Sequence, residues 1–149
     1  MLGVMAVEQI DQLLLSETVG RIGCYSDGRV YIVPVSYAYD GFAIYSHSFE
    51  GRKIRMMREN PNVCFEVEQV DNLANWRSVI IYGRFEELTG EDAARGMERL
   101  MEHFLPHMSG LRETILPEHA TSASLPHGSH QAVIYRITVD GKSGRFEAS

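Results

Sequence analysis

Long apolar runs are missing from this sequence of 149 residues. No stretch approaches the ~18 consecutive apolar residues that a membrane-spanning helix requires. The acidic residues Glu8 and Asp11 follow Met1 closely, where a secretory signal would carry positive charge. We therefore expect a cytoplasmic protein with no membrane association.

Positive charge is also in short supply. The chain has 14 Lys and Arg residues against 20 Asp and Glu residues, a net charge of −6. Proteins that hold a nucleic acid backbone carry clustered basic residues in excess, so no nucleic acid partner is expected. The local basic cluster between Arg52 and Arg58 suits one small anion better than a polymer.

Cysteines are few, and the common catalytic and nucleotide motifs are absent. Cys24 and Cys64 lie far apart within strand-like runs, which predicts reduced, buried thiols and no CxxC redox pair or zinc site. The sequence contains no GxGxxG, GxxxxGK[ST], GxSxG or HExxH. Dinucleotide-binding Rossmann, P-loop, α/β-hydrolase and zincin functions therefore lack support. A chain of this length can bury its own core as one domain, residues 1–149.

Runs with period-two alternation dominate the chain. Strands are predicted over residues 19–25, 29–39, 63–67 and 76–86 and after residue 132, with hairpin turns at Asp27-Gly28 and Asp40-Gly41. Apolar residues at helical spacing predict helices over 7–18 and 89–104. Because strands and helices do not alternate regularly, we expect a mainly β, antiparallel barrel with peripheral helices.

Residues 44–68 contain the most informative pattern, which reads as strand, short helix and strand. We expect Ser48 to cap the helix and Asn60-Pro61 to end it. The helix opens with Glu50-Gly51-Arg52-Lys53, and a helix start with a glycine and two cations suits a phosphate group. Alternatively, Arg52, Arg55 and Arg58, spaced three apart, form the solvated face of an amphipathic helix.

Three further positions carry local predictions. Pro34, in the middle of a strand, indicates a sheet edge or a bulge. Gly83 indicates a bulge or a close approach to the backbone. Trp76 is structural or flanks a planar ligand, and the polar residues 69–75 before it predict a loop.

Five of the six histidines lie in or just before residues 105–131. Pro106 breaks the helical spacing between His103 and His107, and no acidic or cysteine partner falls at a recognised ligand interval, so no metal site is predicted. We expect a flexible loop that covers a pocket. The five are His103, His107, His119, His127 and His130.

Several short motifs, taken together and in order, resemble the pyridoxamine 5'-phosphate oxidase-like family of FMN-binding split β-barrels, and within it the branch of nitroimidazole-resistance proteins. Gly20-Arg21-Ile22-Gly23 and Val33-Pro34-Val35-Ser36-Tyr37 come first. Ile44-Tyr45-Ser46-His47-Ser48, Gly51-Arg52-Lys53, Asn60-Pro61-Asn62-Val63-Cys64-Phe65, Trp76-Arg77-Ser78-Val79 and Gly83-Arg84 follow.

The resemblance implies a homodimer with FMN bound at the subunit interface. Carried over position by position, it implies that Arg52 and Lys53 hold the FMN phosphate with Ser46 and His47 nearby. It places Val33, Pro34, Val35 and Ser36 along the ring and Arg77, Ser78 and Val79 against the ring or the ribityl chain.

The function implied is that of a flavin-dependent oxidoreductase that reduces a small, planar, electron-poor compound such as a nitro-heterocycle, with NADH or NADPH as donor. Because the hydride chemistry belongs to the flavin, no catalytic residue is predicted. A flavin carrier or sensor without turnover, a haem protein using His47 or a later histidine, and a deazaflavin protein stay open. The C-terminal residues 135–146 lack the Arg and His pattern of vitamin B6 oxidases, so that activity is not expected.

Overall fold

The computed structural model describes residues 1–107 and 132–149. Within them the chain forms three α-helices and seven strands, with a short 3-10 turn, Leu105–His107, after the third helix. The helices are α1 (Val7–Ser16), α2 (Arg52–Glu59) and α3 (Gly90–Phe104). The strands are β1 (Leu2–Val4), β2 (Val19–Ser26), β3 (Arg29–Tyr39), β4 (Ala43–Phe49), β5 (Asn62–Asn72), β6 (Asn75–Glu87) and β7 (Ala132–Glu147).

The strands form one antiparallel sheet that closes on itself. Their order is β1-β7-β4-β3-β2-β5-β6, and β6 also pairs with β7. The β6–β7 pairing closes the barrel and satisfies the backbone hydrogen bonds of β6, which would otherwise be an edge strand. The prediction of a mainly β, antiparallel barrel with peripheral helices is confirmed.

Apolar side chains from alternate strand positions fill the barrel. The inward positions are almost fully buried on every long strand, as alternation along a sheet requires. They include Ile22, Tyr37, Ile44, Phe65, Ile81 and Ile137. A second apolar cluster lies outside the barrel, where Leu100 of α3 packs with Tyr45 and Leu88.

Helices α1 and α2 cover opposite ends of the barrel. At the end where β3 finishes, the Tyr37 hydroxyl donates to the Leu14 carbonyl of α1 at 2.7 Å. At the end where β3 begins, the Ser26 hydroxyl donates to the Glu59 carboxylate of α2, and the Arg58 guanidinium pairs with Glu87. Ile10, Leu13 and Leu14 of α1 and Ile54 and Met57 of α2 are buried against the sheet.

Both predicted hairpin turns are confirmed. Asp27 and Gly28 have φ values of 52° and 74°, as a tight two-residue hairpin requires. Gly41 has φ 94°, and the Asp40 carboxylate accepts hydrogen bonds from the backbone N–H groups of Phe42 and Ala43, both at 2.8 Å. These side-chain bonds fix the β3–β4 turn.

Two local predictions are wrong. Ser48 does not cap α2: Gly51 is the N-cap residue, without a side-chain cap bond, and the Ser48 hydroxyl donates to the Phe49 carbonyl at 3.1 Å. The reason is that β4 pairs with β7 through Phe49, which holds Ser48 in a strand. Residues 69–75 are not a loop, because pairing of β5 with β6 continues through Asn72 and Asn75 despite their polarity.

The predictions at Pro34 and Gly83 are confirmed. Residues 29–36 of β3 pair with β2, whereas β4 pairs only with residues 37–39, so among the described strands Pro34 lies on a free edge. The β6–β7 register shifts between Tyr82 and Gly83, and a Cβ at Gly83 would clash with the Thr138 carbonyl.

Both cysteines are free, Cys24 buried and Cys64 half-buried. Burial raises the pKa of the Cys24 thiol to about 11, which keeps it protonated at neutral pH.

The predicted pocket-covering loop, with His119, His127 and His130, lies outside the described residues. Among the helices that are described, none combines the length and apolar character of a membrane span.

Candidate functional site

The start of α2 is a cationic helix terminus. The first helical hydrogen bond runs from the Arg55 N–H to the Gly51 carbonyl at 3.1 Å. The N–H groups of the first turn before it, including those of Arg52 and Lys53, have no partner within the helix. Together with the helix dipole, these donors favour an anion at this end.

Lys53 is a half-buried cation. Its pKa is lowered from the ordinary lysine value, mainly because burial disfavours the charged form. Within residues 1–107 and 132–149, no carboxylate lies at salt-bridge distance from its ammonium group. Burying a charge without a partner is costly, so the site is suited to a ligand that brings negative charge.

The three arginines of α2 differ in their surroundings. Arg58 is bound on both sides, by Glu50 at 2.7 Å and by Glu87 at 2.9 Å, and it anchors the helix to β6. The Arg52 guanidinium lies over the Tyr31 ring, 5.4 Å from its centroid. The solvated-face interpretation of these arginines is therefore incomplete, because Arg58 and Arg52 have specific partners.

A cavity of about 340 Å³ opens beside the start of α2. Arg52, Arg55 and Met56 line it from the helix, and Arg29 and Tyr31 line it from β3. We call it the helix-side cavity. Arg29 and Tyr31 were not predicted to take part in a site. The sequence signal that could have found them is their position on β3 just before the expected ring-binding residues.

The residues predicted on β3 divide between the two faces of the sheet. Val33 and Val35 belong to or pack against the barrel core, whereas Pro34 is exposed and Ser36 is half-buried. Their backbone follows the free edge of β3 described above. Ring contacts through backbone groups are therefore available along residues 33–36 without disrupting a ladder.

Ser46 and His47 lie at adjacent positions of β4. Ser46 is fully buried, and its hydroxyl donates to the Ser36 carbonyl at 2.6 Å, which ties β4 to the free-edge segment. His47 is half-buried on the opposite face. The Tyr135 hydroxyl is buried, and burial raises its pKa to about 12, an effect that the Ser46 hydroxyl offsets in part.

The residues predicted on β6 lie away from α2. Arg77 hydrogen-bonds the Gln69 side chain, and the Ser78 hydroxyl donates to the Glu66 carboxylate at 2.8 Å. Val79 is fully buried. Arg77 projects on the inward side of β6, at the barrel end that α1 covers. One copy of the chain therefore does not bring Arg77 together with Lys53.

An apolar patch on the outer sheet face was not predicted. Side chains from four neighbouring strands form it, and a cavity of about 370 Å³ opens among them. Ile32 and Tyr82 are 65% and 59% exposed. The sequence of β3 could have predicted this patch. Residues 30–35 are apolar on both faces of the strand, a pattern typical of strands that are covered on both sides. We call this patch the outer apolar face; it consists of Tyr25, Val30, Ile32, Cys64 and Tyr82.

The described residues contain no group of three or more His, Cys, Asp or Glu side chains that could hold a metal ion. His103 contacts the Glu17 carbonyl at 2.9 Å, and its ring centroid lies 5.6 Å from that of His107. His103 therefore contacts the backbone and a second ring at the end of α3, as a structural residue does.

Comparison with known proteins gives a consistent picture. Residues 6–145 match the family model described as pyridoxamine 5'-phosphate oxidase. An uncharacterised protein of Rhizobium meliloti is 35% identical over 85 residues, which cover 57% of this chain and 56% of that protein. The match thus spans little more than half the length of that curated relative.

Solved structures share the fold. An FAD-binding protein of Mesorhizobium loti is 27% identical, with a TM-score of 0.77 and 99% of each chain covered. A candidate 5-nitroimidazole antibiotic resistance protein of Bacteroides thetaiotaomicron is 20% identical, with a TM-score of 0.72, covering 98% of this chain and 87% of that one. The second likeness shows the fold alone.

Proposed function

Because the chain belongs to the pyridoxamine 5'-phosphate oxidase family, we propose that it is an FMN-binding flavoprotein and an oxidoreductase. Its substrate would be a small, planar, electron-poor compound such as a nitro-heterocycle, with NADH or NADPH as electron donor. The observation that carries the proposal is the half-buried Lys53 ammonium, which has no carboxylate partner among the described residues and stands beside Arg52 at a helix start.

In this proposal Lys53 and Arg52 hold the phosphate of the flavin. A phosphate there would accept hydrogen bonds from the first-turn N–H groups of α2 and from the two cationic side chains. It would also neutralise the ammonium that burial disfavours. These contacts position the cofactor, and the flavin itself supplies the hydride chemistry when bound.

The free edge of β3 is the proposed partner of the ring. Backbone groups of residues 33–36 that no described strand pairs with can meet the polar edge of an isoalloxazine. Pro34 fits this position because proline has no backbone N–H group, and at this edge that absence removes no hydrogen bond of the sheet. Ser46 supports the segment through its bond to the Ser36 carbonyl.

We further propose that the protein acts as a homodimer with the flavin at the subunit interface. Two observations support this. Lys53 and Arg77 lie at opposite ends of one barrel, so a ligand that uses both must be shared by two chains. The outer apolar face is exposed among the described residues, and association of two chains there would exclude water from it. A half-buried guanidinium such as Arg77, brought near the ring, would favour the reduced, anionic flavin.

The comparisons support a flavin cofactor, whereas the substrate class follows from the resemblance of the sequence to the nitroimidazole-resistance branch. The Mesorhizobium loti relative is an FAD-binding protein that matches this chain over nearly its whole length. The Bacteroides thetaiotaomicron protein, a candidate in nitroimidazole resistance, shares the fold. These likenesses make nitro-heterocycles the first substrates to assay with NADH and NADPH.

Replacing Lys53 by alanine tests the phosphate site. We expect the Lys53→Ala variant to bind FMN more weakly by ~1.5 to 3 kcal/mol, the value of a charge-assisted hydrogen bond. The measurement is titration of the apoprotein with FMN, followed by quenching of flavin fluorescence. Arg95→Ala is the matched control, since Arg95 is an exposed cation on α3 that pairs with Asp92. Equal FMN affinity in wild type and Lys53→Ala would contradict the assignment.

A further inference from the structure

The helix-side cavity lies between one face of α2 and the β2–β3 hairpin. The residues that α2 contributes are spaced three or four apart, so they share one face of the helix; they are Arg52, Arg55, Met56 and Glu59. The hairpin contributes Asp27, Arg29 and Tyr31. The Ser26 hydroxyl of the hairpin donates to the Glu59 carboxylate, which joins the two walls.

Both walls carry charges of both signs. The helix supplies Arg52, Arg55 and Glu59, and the hairpin supplies Asp27 and Arg29. Opposite charges around one cavity offset each other, so the lining has an excess of one positive charge. Arg52, which is proposed to hold the flavin phosphate, accounts for that excess. The rest of the cavity is electrically balanced, and a second phosphate there would face two carboxylates, an unfavourable contact between like charges.

A stacking surface lies beside these charges. Tyr31 is half-buried, and the Arg52 guanidinium is 5.4 Å from its ring centroid. Met56 is also half-buried; it packs against the barrel core and adds apolar surface. Aromatic rings and guanidinium planes are common stacking partners of planar heterocycles. The shape of this wall therefore favours a planar ligand.

The charged side chains also determine which hydrogen bonds a ligand can make. A guanidinium group only donates, and a carboxylate only accepts. In the recognition of bases, arginine donates to a carbonyl and a ring nitrogen, and a carboxylate accepts from an exocyclic amino group. The Glu59 carboxylate already accepts from Ser26 and has capacity for further hydrogen bonds. A matching ligand therefore presents an acceptor to an arginine and an amino group to a carboxylate.

We propose that the helix-side cavity binds an uncharged, planar heterocycle that carries a carbonyl group beside an amino group, as pterins do. The cavity volume of about 340 Å³ lies at the lower end of the range for ligand pockets, roughly 300 to 1,000 Å³, which suits such a ring system without a phosphate. The inference deepens the proposed function, since these rings are planar and electron-poor. It rests on that function in assigning Arg52 to the flavin phosphate.

Pterin, which is fluorescent, is the probe for this pocket. Titration of the protein with pterin, both FMN-loaded and flavin-free, is expected to show saturable binding. Arg55→Gln and Glu59→Gln should each raise the dissociation constant by roughly tenfold or more, for one lost charge-assisted hydrogen bond. Tyr31→Ala should raise it by a similar factor for lost stacking. Arg95→Gln, on α3, is the matched control and should leave it unchanged, and thermal unfolding checks that every variant is folded.

Guanosine and guanosine 5'-monophosphate test the electrical balance of the cavity. Both carry a planar ring with a carbonyl and an amino group, and they differ by one phosphate. Guanosine should displace pterin at least as well as the monophosphate does. Displacement by the monophosphate at a concentration about tenfold lower would show an anion site and overturn the proposal.

The outcomes separate this pocket from the flavin function. If FMN binds but pterin does not, or if Arg55→Gln and Glu59→Gln both leave pterin binding unchanged, the heterocycle pocket is overturned while the flavin function stands. If pterin binds with the expected dependence on both residues but FMN does not bind, the pocket stands and the flavin function fails.

Discussion

Lys53 owes its proposed role to a conflict between its charge and its position. Half-burial at the end of the barrel lowers the pKa of Lys53, and the Cys24 thiol counteracts this in part. Because burial also keeps that thiol protonated, it does not supply a negative charge at neutral pH. A ligand phosphate would supply the missing charge.

The pH dependence of flavin binding follows from this pKa. The ammonium form binds phosphate, and it is fully present at pH values below its lowered pKa. As pH rises through that pKa, which lies below the ordinary lysine value of about 10.4, FMN affinity should fall. Titrations between pH 7.5 and about 10 check this, and the range stays above the second phosphate pKa near 6.

Lys53→Arg is the matched variant for this experiment. Guanidinium stays charged far above pH 10, so its FMN affinity should stay nearly constant over the same range. A decline as steep as that of the wild type would mean that another group controls the pH dependence.

Gly83 and Gly141 form a second test at the residue scale. Both lie where β6 and β7 pair, but an added Cβ at Gly83 would clash with the Thr138 carbonyl, whereas nothing lies within 4 Å of one at Gly141. We expect Gly83→Ala to lower the free energy of unfolding by about 1 to 3 kcal/mol or more and Gly141→Ala to change it by under ~0.5 kcal/mol. Denaturant unfolding measures both, and equal stabilities would refute the tight approach.

Helix α1 is held to the barrel by an ion pair as well as by its apolar face. The Lys142 ammonium of β7 contacts the Asp11 carboxylate at 2.7 Å, and the Tyr39 hydroxyl of β3 donates to the same carboxylate at 2.8 Å. Burial alone would raise the pKa of Asp11, but the hydrogen bonds from Lys142 and Tyr39 outweigh it and lower the pKa. One carboxylate thus joins three elements that are distant in sequence.

The stability that Asp11 contributes should depend on pH. Its folded-state pKa is below the unfolded value of about 3.9, so the contribution is present above pH 4 and is lost as pH falls through the lowered pKa. Asp11→Asn should reduce stability at pH 7 by up to about 1 kcal/mol, as expected for a partly exposed pair. The difference in melting temperature from wild type should close between about pH 4 and 2.

Asp92→Asn is the control for this pair. Asp92 and its partner Arg95 are both more than half exposed on α3. Asp92→Asn should therefore reduce stability at pH 7 by less than Asp11→Asn does. A gap between Asp11→Asn and wild type that persists unchanged at pH 2 would show that the variant acts through something other than the charge of Asp11.

At the scale of the whole molecule, the outer apolar face is the feature that one chain leaves unexplained. Ile32, Gly23, Cys64 and Tyr82 lie side by side on four neighbouring strands. The inward neighbours of these residues fill the barrel, so the strands are apolar on both sides. A second copy of the chain would cover this face and complete the proposed flavin site.

Charges placed on this face test the dimer. We expect the double variant Ile32→Lys, Tyr82→Lys to be monomeric in sedimentation velocity experiments and to lose flavin, because both side chains are exposed in one chain but would be buried between two. Leu73→Lys is the control: Leu73 is 93% exposed in the β5–β6 turn and should leave both properties unchanged. A wild-type protein that sediments as a monomer when flavin is bound would refute the shared site.

Much of the fold could be predicted from local sequence. Alternation along 29–39 and 76–86, the positive-φ turn at Asp27-Gly28 and the strand proline Pro34 each report a constraint that acts within a few residues. The cap at Ser48 was mispredicted because pairing of β4 with the distant strand β7 overrode local polarity. The loop at 69–75 was mispredicted because the polar end of β5 continues to pair with β6, the next strand along the chain. A pattern within a few residues does not show which other strand a given strand will pair with.

The sequence by itself determined the barrel, its helices and the cationic start of α2, since periodicity, turn residues and charge clustering are properties of neighbouring residues. Only the tertiary structure decided that Lys53 is half-buried with no carboxylate partner among the described residues, that Arg29 and Tyr31 join Arg52 around one cavity, and that Arg77 lies at the opposite end of the barrel. Burial and distance between residues on different strands depend on how the sheet closes. That closure brings together β6 and β7, whose paired residues are separated by 48 (Glu87 and Tyr135) to 71 (Trp76 and Glu147) positions in the chain.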